Sequence, residues 1–178
     1  MLPMTCHPAV IADADRLLRH CKNDLMWRNE SFTAFGKTHT LERRVAWYGD
    51  PGLSYRYSGS NHATTGWTAD LANLKSRVNE YFGTRCNFVL LMGYPDGGVG
   101  LGWHRDDERG LNGPIVTVSL GAARRLRYRE TRTGPSHAVE LEHGSALLMD
   151  RRWYHSVPKT TRSCGERISL SFREVSGG

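Results

Sequence analysis

His104 and Asp106, in Gly102-Trp103-His104-Arg105-Asp106-Asp107-Glu108, are answered far along the chain by His155 in Trp153-Tyr154-His155-Ser156-Val157-Pro158. Two imidazoles and one carboxylate are the protein half of a facial triad, which leaves three positions of an octahedral iron(II) for a co-substrate and dioxygen. If the first segment is extended, residues 104 and 106 share a face, because strand side chains alternate, and both can reach one ion. The alternative for a His-x-Asp pair is a surface turn, since eight histidines in 178 residues generate such pairs by chance. A second chemical signal lies downstream. Read as a strand, Arg167-Ile168-Ser169-Leu170-Ser171-Phe172-Arg173 puts Arg167, Ser169, Ser171 and Arg173 on one face and Ile168, Leu170 and Phe172 on the other. Two guanidiniums on one face can clamp a small dicarboxylate, because Arg pairs with carboxylate in a bidentate, charge-assisted geometry that Lys cannot reproduce. The alternative there is a solvent-facing edge strand.

These residues need a scaffold. Apolar residues at Leu17, Leu18, Cys21 and Leu25 predict a helix over Asp13 to Leu25, and Leu71, Leu74, Val78, Tyr81 and Phe82 predict a second over Thr68 to Phe82, stopped by Gly83. Between them Ser31 to Gly66 has no helical periodicity and reads as short strands and loops, with a turn at Gly49-Asp50-Pro51-Gly52. Beyond residue 86 short β runs follow one another: Asn87 to Tyr94, Ile115 to Leu120, Arg124 to Glu130, Ala138 to Leu141, Ser145 to Met149 and Arg167 to Arg173. Pro95-Asp96-Gly97-Gly98, Asn112-Gly113-Pro114 and Glu142-His143-Gly144 supply turns, which predicts two packed sheets. No repeat or linker divides the chain.

Composition narrows the class. A length of 178 residues with 39% hydrophobic content suits one domain with a substantial core. The 19 glycines favour a loop-rich β protein over a helical bundle. No apolar run reaches membrane-spanning length and the start lacks a secretory signal, so an intracellular chain is expected, cytoplasmic or, in a eukaryote, nuclear, with no membrane partner. Cys6, Cys21, Cys86 and Cys164 lack the spacing of a zinc site and offer no disulfide framework. The net charge of +6 is compatible with a polyanionic partner.

The blocks Asn87-Phe88-Val89-Leu90, Tyr94-x-Asp96-Gly97, His104-Arg105-Asp106-Asp107-Glu108, Ser119-Leu120-Gly121-Ala122, His143-Gly144-Ser145 and Trp153-Tyr154-His155-Ser156, with Arg167 and Arg173, resemble the AlkB family of iron(II)- and 2-oxoglutarate-dependent dealkylases. Phe35-Gly36-Lys37, Arg43, Tyr48-Gly49-Asp50 and Tyr55-Arg56-Tyr57-Ser58-Gly59 resemble its DNA-repair branch, which acts on duplexes as well as single strands. The resemblance implies an α+β, mainly β fold: a double-stranded β-helix (jelly roll) at about residues 86–175, flanking helices, and an N-terminal nucleotide-recognition lid at about 30–66, all in one domain over 1–178. It also implies that His104, Asp106 and His155 hold Fe(II), that Arg167 binds the distal carboxylate of 2-oxoglutarate with Tyr94 and Ser171, and that Arg173 lies nearer the keto-acid end. O2 is then the second co-substrate.

One departure stands out. The family usually has Asn two residues before this Tyr, whereas Met92 occupies the position here. A thioether is a poor hydrogen-bond partner, so co-substrate affinity is expected to fall modestly, by about 0.5 to 1.5 kcal/mol.

The implied activity is oxidative demethylation of 1-methyladenine and 3-methylcytosine in DNA, releasing formaldehyde, by a monomer. A base must be flipped or single-stranded to reach such a site. Tyr55 and Tyr57 would frame it, beside Ser58. Asp107 would accept from its exocyclic amine, Glu108 would buttress the site, and Arg43 would steady the nucleotide. Phe35-Gly36-Lys37 resembles a finger that fills the gap in the duplex, with Lys37 a phosphate contact. The loop Glu130 to His137 is shorter and less basic than its duplex-gripping counterpart. RNA demethylation by the same chemistry, a small-metabolite oxygenase and a catalytically weakened nucleic-acid-binding module remain alternatives.

Overall fold

The computed structural model describes residues 4–34, 36–57 and 60–176, with side chains except at 30, 32–34, 38, 55–57 and 60–62. Among these residues the chain runs β1 (Met4–His7), α1 (Ala14–Asn23), β2 (Arg28–Ala34), β3 (Lys37–Gly49), β4 (Ser54–Tyr57), β5 (Ser60–Ala63), α2 (Ala69–Phe82) and β6 (Phe88–Tyr94). It continues through β7 (Leu101–His104), β8 (Leu111–Gly121), β9 (Arg124–Arg129), β10 (His137–Leu141), β11 (Ala146–Met149), β12 (Tyr154–Val157) and β13 (Arg167–Val175). Both predicted helices form. The Thr68 hydroxyl accepts from the Leu71 amide at 3.2 Å to start α2, and Gly83 at φ 63° ends it, a left-handed conformation that costs glycine least.

A seven-stranded sheet in the order β1-β11-β8-β13-β6-β3-β2 faces a four-stranded sheet in the order β10-β9-β12-β7. Phe88, Leu90 and Met92 of the larger sheet share one core with Leu126, Leu141 and Val157 of the smaller, which is the jelly-roll arrangement. The outer face of the larger sheet is covered by the helices: Ile168, Leu170 and Phe172 are fully buried in one cluster with Leu17, Leu71 and Leu74. β13 lies between β8 and β6, so its polar face looks inward between the sheets and a solvent-facing edge strand is excluded.

Three elements differ from the sequence expectation. The region expected to hold only short strands contains the 13-residue β3, whose length is set by pairing with β6 and β2 rather than by local periodicity. β1, β2 and β3 join the larger sheet, so the paired core begins well before residue 86. Asn112-Gly113-Pro114 is no turn but a bulge within β8: Phe172 pairs with Val116 and Glu174 with Asn112, leaving extra residues on β8. Gly113 takes φ 59° there and Pro114, lacking an N–H, sits where the ladder is already interrupted.

Phe172 anchors the helix-facing side of β13. Phe172→Ala is expected to lower the unfolding free energy in urea by about 3 to 5 kcal/mol, and a loss under about 1 kcal/mol would contradict this packing.

Candidate metal centre and co-substrate pocket

His155 on β12 pairs directly with His104 at the end of β7, while Val157 pairs with Leu101, so β7 carries one extra residue. That bulge lets both Leu101 and His104 face the cavity and leaves Trp103 outside. β7 stops at His104, so the extended reading of 104–106 ends there. Asp106 arrives from an irregular segment, beneath both rings. Its Oδ1 is 3.7 Å from His104 Nε2 and its Oδ2 is 3.9 Å from His155 Nε2, with the ring centroids 4.2 Å apart. The three donor atoms lie within 4.8 Å of one another, a set that one divalent ion could bridge.

Each imidazole is oriented from behind. His104 Nδ1 is 2.9 Å from the Gly102 carbonyl and His155 Nδ1 is 3.1 Å from that of Trp153. A carbonyl can only accept, so Nδ1 carries the hydrogen and Nε2 presents its lone pair to the cavity. Burial pushes the His155 pKa down to about 4, with His104 and Arg173 acting in the same sense against Asp106 and the Trp153 carbonyl. Near neutral pH this ring is therefore uncharged, as a metal ligand must be. Burial alone would raise the Asp106 carboxyl, but the Arg173 guanidinium, followed by the two imidazoles, holds it below the usual value.

The inward face of β13 continues the site. Arg173 Nη2 donates to Asp106 Oδ2 at 3.1 Å, and its Nη1 is 4.0 Å from Glu108 Oε1. Three pleat repeats away on the same face, Arg167 is 1% exposed. Its Nη2 donates to the Ser119 hydroxyl at 3.0 Å, while Nε and Nη1 have no hydrogen-bond partner among the described residues. Burial pushes its pKa down, opposed by the Tyr94 hydroxyl and reinforced by Arg124. A buried cation with two unused donors is costly unless an anion arrives, and these donors suit the far carboxylate of 2-oxoglutarate. Met92, Tyr94, Ser171 and Arg173 line the same cavity as the metal-site residues. The Tyr94 hydroxyl donates to Met92 Sδ at 3.6 Å, and the Ser171 hydroxyl lies 3.1 Å from that of Thr117.

The substrate residues expected from sequence are not all gathered here. Arg43 is buried and donates to the Gly100 carbonyl at 3.4 Å, tying β3 to the segment before β7. Asp107 is 54% exposed and accepts from Arg105 at 2.5 Å. Gly36 and Lys37 are exposed at the β2–β3 turn, whereas Phe35 and Ser58 lie outside the described residues, as do the side chains of Tyr55 and Tyr57. Sequence reasoning overlooked Thr117, Ser119 and Arg124. The alternation Val116-Thr117-Val118-Ser119 puts the two hydroxyls on the cavity face and was the signal available for them. Arg124 donates to the carbonyls of Asp96, Val99 and Pro158 at 2.8 to 2.9 Å, pinning the loops beside the cavity.

Comparison with known proteins agrees with this geometry. Residues 6–173 match the model of the 2OG-Fe(II) oxygenase superfamily. The mouse DNA oxidative demethylase ALKBH2 is 37% identical over an alignment covering 92% of this chain and 76% of that protein, and the human one is 35% identical, with 92% and 69% covered. The rat alpha-ketoglutarate-dependent dioxygenase alkB homolog 3 is 32% identical, with 93% and 61% covered. The solved structure of OsALKBH1 superposes with a TM-score of 0.66 at 18% identity, covering 96% of this chain and 97% of that one, a likeness of fold.

The geometry makes Asp106 the ligand on which the centre depends. Asp106→Asn is expected to stay folded by circular dichroism while bound iron, counted by elemental analysis after anaerobic loading, drops from about one per chain to near zero. Undiminished iron in the variant would count against the site.

Proposed function

The chain belongs to the AlkB family of the 2OG-Fe(II) oxygenase superfamily, and we propose that this iron(II)- and 2-oxoglutarate-dependent dioxygenase demethylates alkylated DNA. The observation that carries the reading is the juxtaposition, in one cavity, of the His104-Asp106-His155 set with the two unused donors of buried Arg167. The relatives covered over most of their length are DNA oxidative demethylases, which supports the substrate class.

In this reading His104, Asp106 and His155 hold the metal, and the Gly102 and Trp153 carbonyls keep both rings aimed at it. Arg173 keeps Asp106 ionised, and Arg167 fixes the distal carboxylate of 2-oxoglutarate, with Tyr94 and Ser171 beside it. When bound, iron(II) with 2-oxoglutarate and O2 supplies the oxidising power to hydroxylate an N-methyl carbon. The hydroxymethyl group on the ring nitrogen then collapses, losing formaldehyde and restoring the base. The protein's share is positioning.

The substrates proposed are 1-methyladenine and 3-methylcytosine, whose positive charge favours aromatic faces and a carboxylate. Tyr55 and Tyr57 would stack on the flipped base and Asp107 would accept from its exocyclic amine, released from Arg105 as the base enters. The direct test is anaerobic loading with iron(II) and 2-oxoglutarate, then air, with mass readout on methylated single-stranded DNA, duplex DNA and RNA. Loss of a methyl mass from DNA with matching formaldehyde supports the reading, and unchanged DNA in every form overturns it.

Two variants probe its parts. Arg167→Ala should raise the half-saturating 2-oxoglutarate concentration roughly tenfold or more, because a hydrogen bond to a charged group is worth about 1.5 to 3 kcal/mol. Met92→Asn should move it less, and downward; an equal disruption by both would contradict the placement of β13 against β6.

Phe35→Ala should slow repair of methylated duplexes while sparing single strands, which have no stack to fill. Equal losses with a lowered melting temperature would assign Phe35 to the core instead.

A further inference from the structure

Beside the metal-site strands β7 and β12, the outer face of the smaller sheet carries an aromatic and cationic surface that the chemistry above leaves unused. Among the three metal-site side chains His104 is the most open, 33% exposed against 6% for Asp106 and 7% for His155, so the cavity opens along β7. Trp103, next to His104 in sequence but turned to the outer face of the smaller sheet by the β7 bulge, is 36% exposed. The Arg129 guanidinium lies 3.9 Å from its ring centroid and that of Arg127 5.8 Å. Tyr154, the cross-strand partner of Arg129, carries the Arg105 guanidinium at 5.5 Å.

Charge separates this patch from an ordinary surface. Arg105 and Arg125 are matched by Asp107 and Glu140. Arg127 donates to the Ser136 hydroxyl at 2.7 Å, and neither it nor Arg129 has a carboxylate within ion-pair distance among the described residues. A large π face backed by two uncompensated guanidiniums suits a ligand that alternates flat rings with anions, which is the chemistry of single-stranded nucleic acid. Bases in an intact duplex are stacked on one another and cannot lie on Trp103.

Resting on the proposed function, we infer that Trp103, held by Arg129 and Arg127, is a stacking platform for an unpaired base neighbouring the one in the cavity, and so biases the protein toward single-stranded DNA. Arg127 and Arg129 reach the phosphates on either side of that base.

The test measures binding of a labelled, methylated oligonucleotide, single-stranded or duplex, to the protein loaded anaerobically with iron(II) and 2-oxoglutarate. Trp103→Ala should weaken single-strand binding about tenfold, with duplex binding changed less than about twofold and the salt dependence kept, since stacking releases no counterions. Trp103→Phe should retain most of the affinity. Arg127→Gln should reduce the slope of log affinity against log salt by about 0.7. Unchanged single-strand affinity in Trp103→Ala overturns the inference. So does an equal loss on both strand forms with a lowered melting temperature, which would make Trp103 a support for Arg129. Should the wild type remove no methyl group while Trp103→Ala still loses single strands, the proposed function fails and the platform stands.

Discussion

The Asp106 carboxylate is almost wholly removed from water, and it stays ionised because the Arg173 guanidinium sits 3.1 Å away with two imidazoles within 4 Å. Removing a charge from water costs several kcal/mol unless close partners offset it. Arg173 supplies that offset from the central strand of the larger sheet, while the two histidines come from β7 and β12 of the smaller. The ion pair therefore ties the two layers together at the point where the metal must bind. It also keeps one carboxylate charged at the centre for an incoming cation.

The same strand solves a packing problem. β13 buries both faces, which would normally demand an apolar run. Here the helix-facing residues Ile168, Leu170 and Phe172 are apolar, while the inward face carries Arg167, Ser169, Ser171 and Arg173. The polar face is tolerable because its groups have partners: Ser119 for Arg167, Thr117 for Ser171 and Asp106 for Arg173. Among the described residues Arg167 has two donors without a partner, so part of the cost of burying it is left for an incoming carboxylate to relieve. Co-substrate affinity and apo stability are thereby set against each other at one residue.

Much of this was legible in the residues. The alternation in Arg167 to Arg173 identified both faces of β13, and the apolar spacing with Gly83 located α2. The metal-site trio follows from residue type and order. What escaped was structure set by pairing rather than by pattern. β7 and β12 are four residues each and hold Trp, His, Tyr and Gly without alternation, so nothing local marks them as strands. The bulges in β7 and β8 likewise depend on which strand lies opposite, and Gly113-Pro114 looked like a turn because both residues break ladders wherever they occur. No local pattern marked Arg124 as buried, and only the fold shows three carbonyls converging on it.

The most direct measurement is a crystal structure of the anaerobic complex with iron(II) and 2-oxoglutarate. It should show iron on His104 Nε2, Asp106 and His155 Nε2, the keto-acid end on the metal, and the distal carboxylate on Arg167 Nε and Nη1. Iron bound elsewhere, or a distal carboxylate that leaves those two nitrogens without a partner, would contradict the assignment of the cavity.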